Sequence, residues 1–101
     1  MSVEAFYQVL NGHQSDVNWV DFNGNFNLAS CSNDRTVLLW AFDDASNMFV
    51  RDLSESLIGH AYGVNCVRYS PFGTIIASAS TDGNIILWNS QVGKNPIGIS
   101  F

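Results

Sequence analysis

Gly12-His13-Gln14-Ser15-Asp16-Val17-Asn18 opens a stretch that runs through Phe22 and Ala29-Ser30-Cys31-Ser32-Asn33-Asp34 to Trp40, and the chain then repeats it. The second copy opens on Gly59-His60, passes Val64 and Tyr69, reaches Ala77-Ser78-Ala79-Ser80-Thr81-Asp82 and closes on Trp88. His13 and His60 stand 47 positions apart, as do Val17 and Val64, whereas Asp34 to Asp82 and Trp40 to Trp88 are 48 apart. One residue is therefore missing from the first copy between Phe22 and Ala29. The gap falls opposite Ser70-Pro71-Phe72-Gly73, where turn chemistry tolerates an insertion without breaking a strand ladder. A repeat of this length marks an architecture whose units bury their apolar faces against neighbours, so two units are part of something larger.

The 101 residues are 47% hydrophobic and 13% charged, apolar enough to fold and too poor in charge for disorder. Two units of four strands each leave open sheet edges and uncovered faces at this length. The net charge is -5, and Arg35, Arg51, Arg68 and Lys94 are scattered. No basic stripe exists to neutralise phosphates, which argues against nucleic acid as a partner. No run approaches the roughly 18 apolar residues of a membrane span, and Met1-Ser2-Val3-Glu4 lacks the basic start of a signal peptide. The reading is a cytoplasmic or nuclear chain with no membrane partner. Cys31 and Cys66, without a Cys-x-x-Cys or an Asn-x-Ser/Thr acceptor, agree with a reducing compartment and read as small buried hydrophobes.

Both copies are rich in short apolar runs bounded by turn residues. They predict antiparallel strands over 17–22, 28–32, 37–42, 64–69, 74–80 and 85–89. Asn33-Asp34-Arg35 and Asp82-Gly83-Asn84 read as tight hairpin turns, the second with the Asp-Gly that accepts positive φ. Val37-Leu38-Leu39-Trp40 and Ile85-Ile86-Leu87-Trp88 are apolar without a break, which implies sheets covered on both faces. Asp43-Asp44-Ala45-Ser46-Asn47 reads as a solvated loop before a fourth strand at about 53–58. Phe49 and Val50 either extend a strand from that loop or pack beneath it. Residues 5–10 and 97–101 alternate like strands too.

A unit that runs from Gly-His to Trp resembles the WD-repeat family, whose four-stranded sheets are the blades of a β-propeller. The terminal dipeptides here are Trp40-Ala41 and Trp88-Asn89. The likeness covers residues 10–101 and implies an all-β fold of antiparallel four-stranded blades, a partial WD-repeat β-propeller. It implies one repeat over 11–57 and a second over 58–101, the last strand complete or cut short. Residues 1–10 would then be an orphan strand that closes a missing last blade. On this reading the isolated chain exposes apolar faces and edges, and oligomerises or aggregates.

The resemblance also implies a structural network in each blade: His13, Ser30, Asp34 and Trp40, then His60, Ser78, Asp82 and Trp88. A buried imidazole needs a partner on each nitrogen, so an Asp on one side and a Ser that bridges to an indole N–H on the other satisfy it. Ser32 and Ser80 share the strand face of Ser30 and Ser78; the choice between them rests on the family. A Ser-His-Asp set also invites a hydrolase reading. A nucleophile needs exposure and an oxyanion site, whereas this set occurs twice and each copy ends on a Trp that buries it. No catalytic residue is assigned. No metal is assigned either, because the repeat places His13 and His60 in different blades and neither has a second ligand at the usual spacing. No cofactor is implied.

Propellers of this family are mostly platforms for other proteins or peptides. Family analogy puts the contact positions at Asp16, Asn18 and Asn33 in the first blade and at Gly63, Asn65 and Thr81 in the second. The stretches from Ser15 to Trp40 and from His60 to Asn89 look like the start of the WD-repeat, SAM and U-box domain proteins, which implies substrate recognition for ubiquitin ligation. A third reading is a split propeller that supplies its remaining blades by self-assembly rather than in cis.

Overall fold

A computed structural model describes residues 7–52 and 57–90, together with the backbone course of 96–100. It contains β1 (Val17–Asn23), β2 (Asn27–Ser32), β3 (Thr36–Asp43), β4 (Met48–Arg51), β5 (Leu57–Ile58), β6 (Val64–Tyr69), β7 (Ile75–Ser80), β8 (Ile85–Asn89) and β9 (Pro96–Ser100). Among the described residues there is no helix. The first sheet runs β1-β2-β3-β4 with β5 also on β3, and the second runs β6-β7-β8-β9. All pairs are antiparallel. The fold is all-β, two sheets of the kind that form WD-repeat blades.

The six central strands fall within two residues of the positions the sequence predicts. The fourth strand of the first copy differs: β4 lies opposite Trp40 to Asp43 and β5 opposite Thr36 and Val37. Residues 53–56 lie outside the described ones. The strand begins early because Phe49 is drawn onto two aromatic rings of the same face, Phe42 at a centroid distance of 5.4 Å and Phe22 at 6.3 Å. Such edge-on pairs add to plain area burial. Residues 7–10 form no strand; Ala5 and Phe6 lie outside the described residues. Instead Leu10 packs on Leu28, Leu38 and Trp40. The Gln8 amide donates to Phe49 O at 2.7 Å and accepts from Phe49 N at 2.9 Å, as a strand neighbour would.

The turns between β2 and β3 and between β7 and β8 share one geometry. Arg35 N donates to Ser32 O at 3.2 Å and Gly83 N to Ser80 O at 3.0 Å, with φ of 75° and 88°. That is the type I turn with a left-handed residue common in three-residue hairpins. The residue by which the copies differ sits in the β6-β7 turn. There Gly73 has φ of 73°, and a Cβ on it would stand 2.2 Å from the Asn23 amide. Its left-handed φ favours glycine, and any side chain there would also displace the Asn23 amide at the end of β1.

The main core lies between the sheets. Ala29, Cys31, Val37, Leu39 and Leu57 of the first meet Val64, Val67, Ile76 and Trp88 of the second. Every residue from Val37 to Trp40 is buried, Leu38 and Trp40 on the face away from the second sheet. In the matching run of β8 only Trp88 is buried, while Ile85, Ile86 and Leu87 are half-buried. Two-sided covering, expected for both runs, is found among the described residues in β3.

Candidate functional site

Each copy carries one chain of hydrogen bonds from strand to strand. In the first, the Trp40 indole donates to Ser30 Oγ at 2.9 Å, and Ser30 Oγ stands 2.7 Å from His13 Nε2. His13 Nδ1 lies 2.9 Å from Asp34 Oδ2. An ionised carboxylate only accepts, so Nδ1 carries the proton and Nε2 accepts from the serine hydroxyl. All donors then point the same way, toward Asp34. Burial opposes ionisation of Asp34. The Thr36 hydroxyl at 2.6 Å, the Gln14 amide, His13 and the Thr36 amide outweigh it and hold the carboxyl down at about 2.

The second copy starts the same way, with Trp88 to Ser78 Oγ at 2.8 Å and Ser78 Oγ 2.7 Å from His60 Nε2. It ends differently. Asp82 is exposed, and among the described residues no hydrogen bond joins it to His60; its oxygens accept from Asn84 N and Asn84 Nδ2, both at 3.1 Å. Asn84 occupies the position of Thr36, and its amide holds the oxygen that Asp34 gives to His13. Burial therefore lowers the His60 pKa, with only the charge of Asp82 acting upward. Ser32 Oγ accepts from Asp34 N at 3.0 Å, while the matching Ser80 Oγ is buried without a partner among the described residues. The structure thus gives Ser30 and Ser78 the imidazole and indole contacts, and Ser32 a turn contact.

The asymmetry has a simple reversal. Asn84→Thr removes the competing amide and is expected to stabilise the fold by about 1 kcal/mol while moving the His60 titration upward. Proton NMR of the imidazole across pH 4 to 8 checks it, and an unmoved His60 titration would refute the competition.

The six positions assigned to partner contact lie at one end of the sheets, and not all of them are free. Asp16, Asn18, Asn33, Asn65 and Thr81 are exposed and Gly63 is half-buried. Asn18 Nδ2 donates to Asn33 Oδ1 and to Val64 O in the second sheet, both at 2.8 Å. A Cβ on Gly63 would meet Asn33 Oδ1 at 2.9 Å. Asn18, Asn33 and Gly63 therefore join the two sheets, while Asn65, whose Oδ1 accepts from Thr81 Oγ1 at 3.3 Å, faces outward with Thr81. A second tie was not anticipated. Asp21 Oδ2 accepts from Tyr69 N at 2.8 Å and lies 3.5 Å from Arg68 Nε. Its signal was present as opposite charges at equivalent repeat positions, 47 apart.

The two glycines before the histidines complete the pattern. A Cβ on Gly12 would meet Leu38 at 2.9 Å and Trp40 at 3.0 Å, and one on Gly59 would meet Trp88 at 3.1 Å. Gly-His and Trp are thus packed on each other in both copies. The profile of the WD domain, G-beta repeat, matches residues 5–41 and 51–89. The chain belongs to the WD-repeat family. Curated WD-repeat relatives include WD repeat, SAM and U-box domain-containing protein 1 of Homo sapiens, 40% identical over 82 residues, and that of Danio rerio, 38% identical over 85. These alignments cover 81% and 84% of this chain and 16% of each relative. Protein transport protein SEC13 of Coccidioides immitis is 34% identical over 84 residues, 81% of this chain and 26% of that protein. This WD-repeat chain therefore spans about a sixth to a quarter of the relatives' length. Its cysteines are free, and burial raises the Cys31 thiol to about 11. Among the described residues no helix is long and apolar enough to cross a membrane.

Proposed function

We propose that this WD-repeat chain is a non-catalytic platform that binds proteins or peptides through the loop end bearing Asp16, Asn65 and Thr81. The carrying observation is the division of polar groups. Ser30 and Ser78 are each locked between an imidazole and an indole, leaving neither hydroxyl free as a nucleophile. The exposed amide, hydroxyl and carboxylate of the loop end are available for recognition and suit basic or hydrogen-bonding partners. Asn65→Ala is expected to leave the melt within about 0.5 kcal/mol of the parent and to weaken a partner recovered by affinity capture several-fold. Unchanged capture with an unchanged melt counts against this surface.

The names of the relatives in Homo sapiens and Danio rerio support a second reading, in which these repeats select substrates for a ubiquitin ligase. That reading requires a U-box in the same reading frame and loss of partner ubiquitination on Asn65→Ala. A frame without a U-box removes it.

A further inference from the structure

Strand β4 ends the β1-β2-β3-β4 order, and among the described residues it pairs only with β3. Asp52 N donates to Leu39 O at 2.8 Å, while Phe42 N turns the other way, to Phe26 O, also at 2.8 Å. Bonded and unbonded pairs alternate in an antiparallel ladder, so Phe49, opposite Phe42, points its own N–H and C=O away from β3. One side chain holds both groups: the Gln8 amide accepts from the first and donates to the second. A primary amide placed in this way is the polar part of a peptide unit without its chain. Met48 and Val50, on either side of Phe49, belong to the opposite face. They are the partners of Asp43 and Ala41, on the side of β3 that carries Leu39 toward the second sheet. They remain 47% and 44% exposed although that sheet is in place.

We propose that the outer margin of β4 is a docking surface of its own, which takes an extended peptide of a partner protein, basic and apolar, as an added strand in exchange for Gln8. Main-chain hydrogen bonds to Phe49 supply the attachment, and alternate apolar side chains of the peptide cover Met48 and Val50. Asp43 and the exposed Asp44 precede the strand in a chain of net charge -5, so a basic residue of the peptide meets its counter-charge there. Natural sheet edges are commonly closed to such addition by a proline or a bulge. Strand β4 reads Met48-Phe49-Val50-Arg51 and its register with β3 runs without a bulge, which leaves Gln8 as the group that occupies Phe49. Its two hydrogen bonds are solvent-exposed and exchange for bonds of the same kind from the peptide. The side chain therefore lowers the apparent affinity only by the fraction of time it holds the strand.

Fluorescence anisotropy of the full chain with the labelled probe acetyl-Lys-Val-Thr-Val-Thr-Val-Ser-amide tests the proposal. Saturation below about 1 mM is expected, with the Phe49 amide resonance shifting as the probe binds. Gln8→Ala is expected to tighten binding about three- to tenfold. Val50→Lys is expected to weaken it about threefold or more, with strand content by circular dichroism unchanged. The threonines of the probe turn their amides to β4 when its valines cover Met48 and Val50. N-methylation of the threonines is therefore expected to weaken binding about tenfold or more, and N-methylation of the valines far less. No saturation by the parent overturns the proposal, and so does binding seen only with Gln8→Ala, as a permanent cap would give. Equal loss from either methylation, indifference to Gln8→Ala, an unmoved Phe49 resonance, or two chains pairing through β4 in place of the probe overturns it as well. Asn65→Ala is expected to leave probe binding unchanged, since that residue tests the separate platform reading; a loss there places the probe at the loop end and overturns the proposal.

Discussion

Trp88→Ala is expected to cost about 3 to 5 kcal/mol, the largest effect of any single substitution considered. Trp88 is 1% exposed and is the largest fully buried side chain among the described residues. Its removal empties the middle of the inter-sheet core beside Ile76 and Val67. The site collapses poorly because two sheets with fixed ladders surround it, so most of the cavity remains. Ser78 Oγ also loses its indole donor, and the edge-on contact with His60 at 6.4 Å between centroids disappears. Trp40→Ala is expected to cost about 1 kcal/mol less, because Trp40 belongs to a smaller cluster on a partly uncovered face. Urea unfolding of both variants checks the order. An unchanged midpoint for Trp88→Ala would sink the assignment of the indole to the core.

Asp34→Ala is expected to cost about 2 to 3 kcal/mol at pH 7, and the cost is expected to fade in acid. The carboxylate accepts from Thr36 Oγ1, Thr36 N, Gln14 N and His13, and its pKa falls from 3.8 to about 2. A lowered folded-state pKa gives stability that is fully present above the unfolded value. That stability is lost as pH falls from about 4 through about 2. A shift of that size corresponds to about 2 kcal/mol, at 1.36 kcal/mol per unit. The difference between parent and variant should therefore shrink between pH 5 and 2.5 in urea titrations. A difference that stays constant over that range rejects the carboxylate as its source. Asp82→Ala, which loses only contacts to Asn84, is expected to cost under about 1 kcal/mol.

The sequence carried the strand positions and the two hydrogen-bond sets because both rest on local pattern. Alternating apolar runs, turn residues and the Gly-His to Trp spacing each depend on one strand or one hairpin. It did not carry what depends on neighbouring sheets. Asn18 reads as a free loop amide until β6 brings the Val64 carbonyl within reach. Equally, Thr36 and Asn84 are unremarkable turn polars, yet their difference decides whether the aspartate holds its histidine. The early start of β4 came from an aromatic cluster that spans three strands. Residues 7–10 alternate like a strand but pair with no strand among the described residues, so only their side-chain contacts with the first sheet are realised.

The ties from β1 to β6 also answer a solubility problem. Among the described residues strand β6 pairs only with β7, so one margin is a row of amides and carbonyls open to strand pairing, a template on which a stray peptide would add as another strand. Two side chains of β1 occupy it: Asn18 takes the Val64 carbonyl and Asp21 the Tyr69 amide. They stand at opposite ends of the strand, so an incoming backbone finds both terminal anchors taken. The neighbouring sheet thereby guards this margin against misassembly without adding a strand to it.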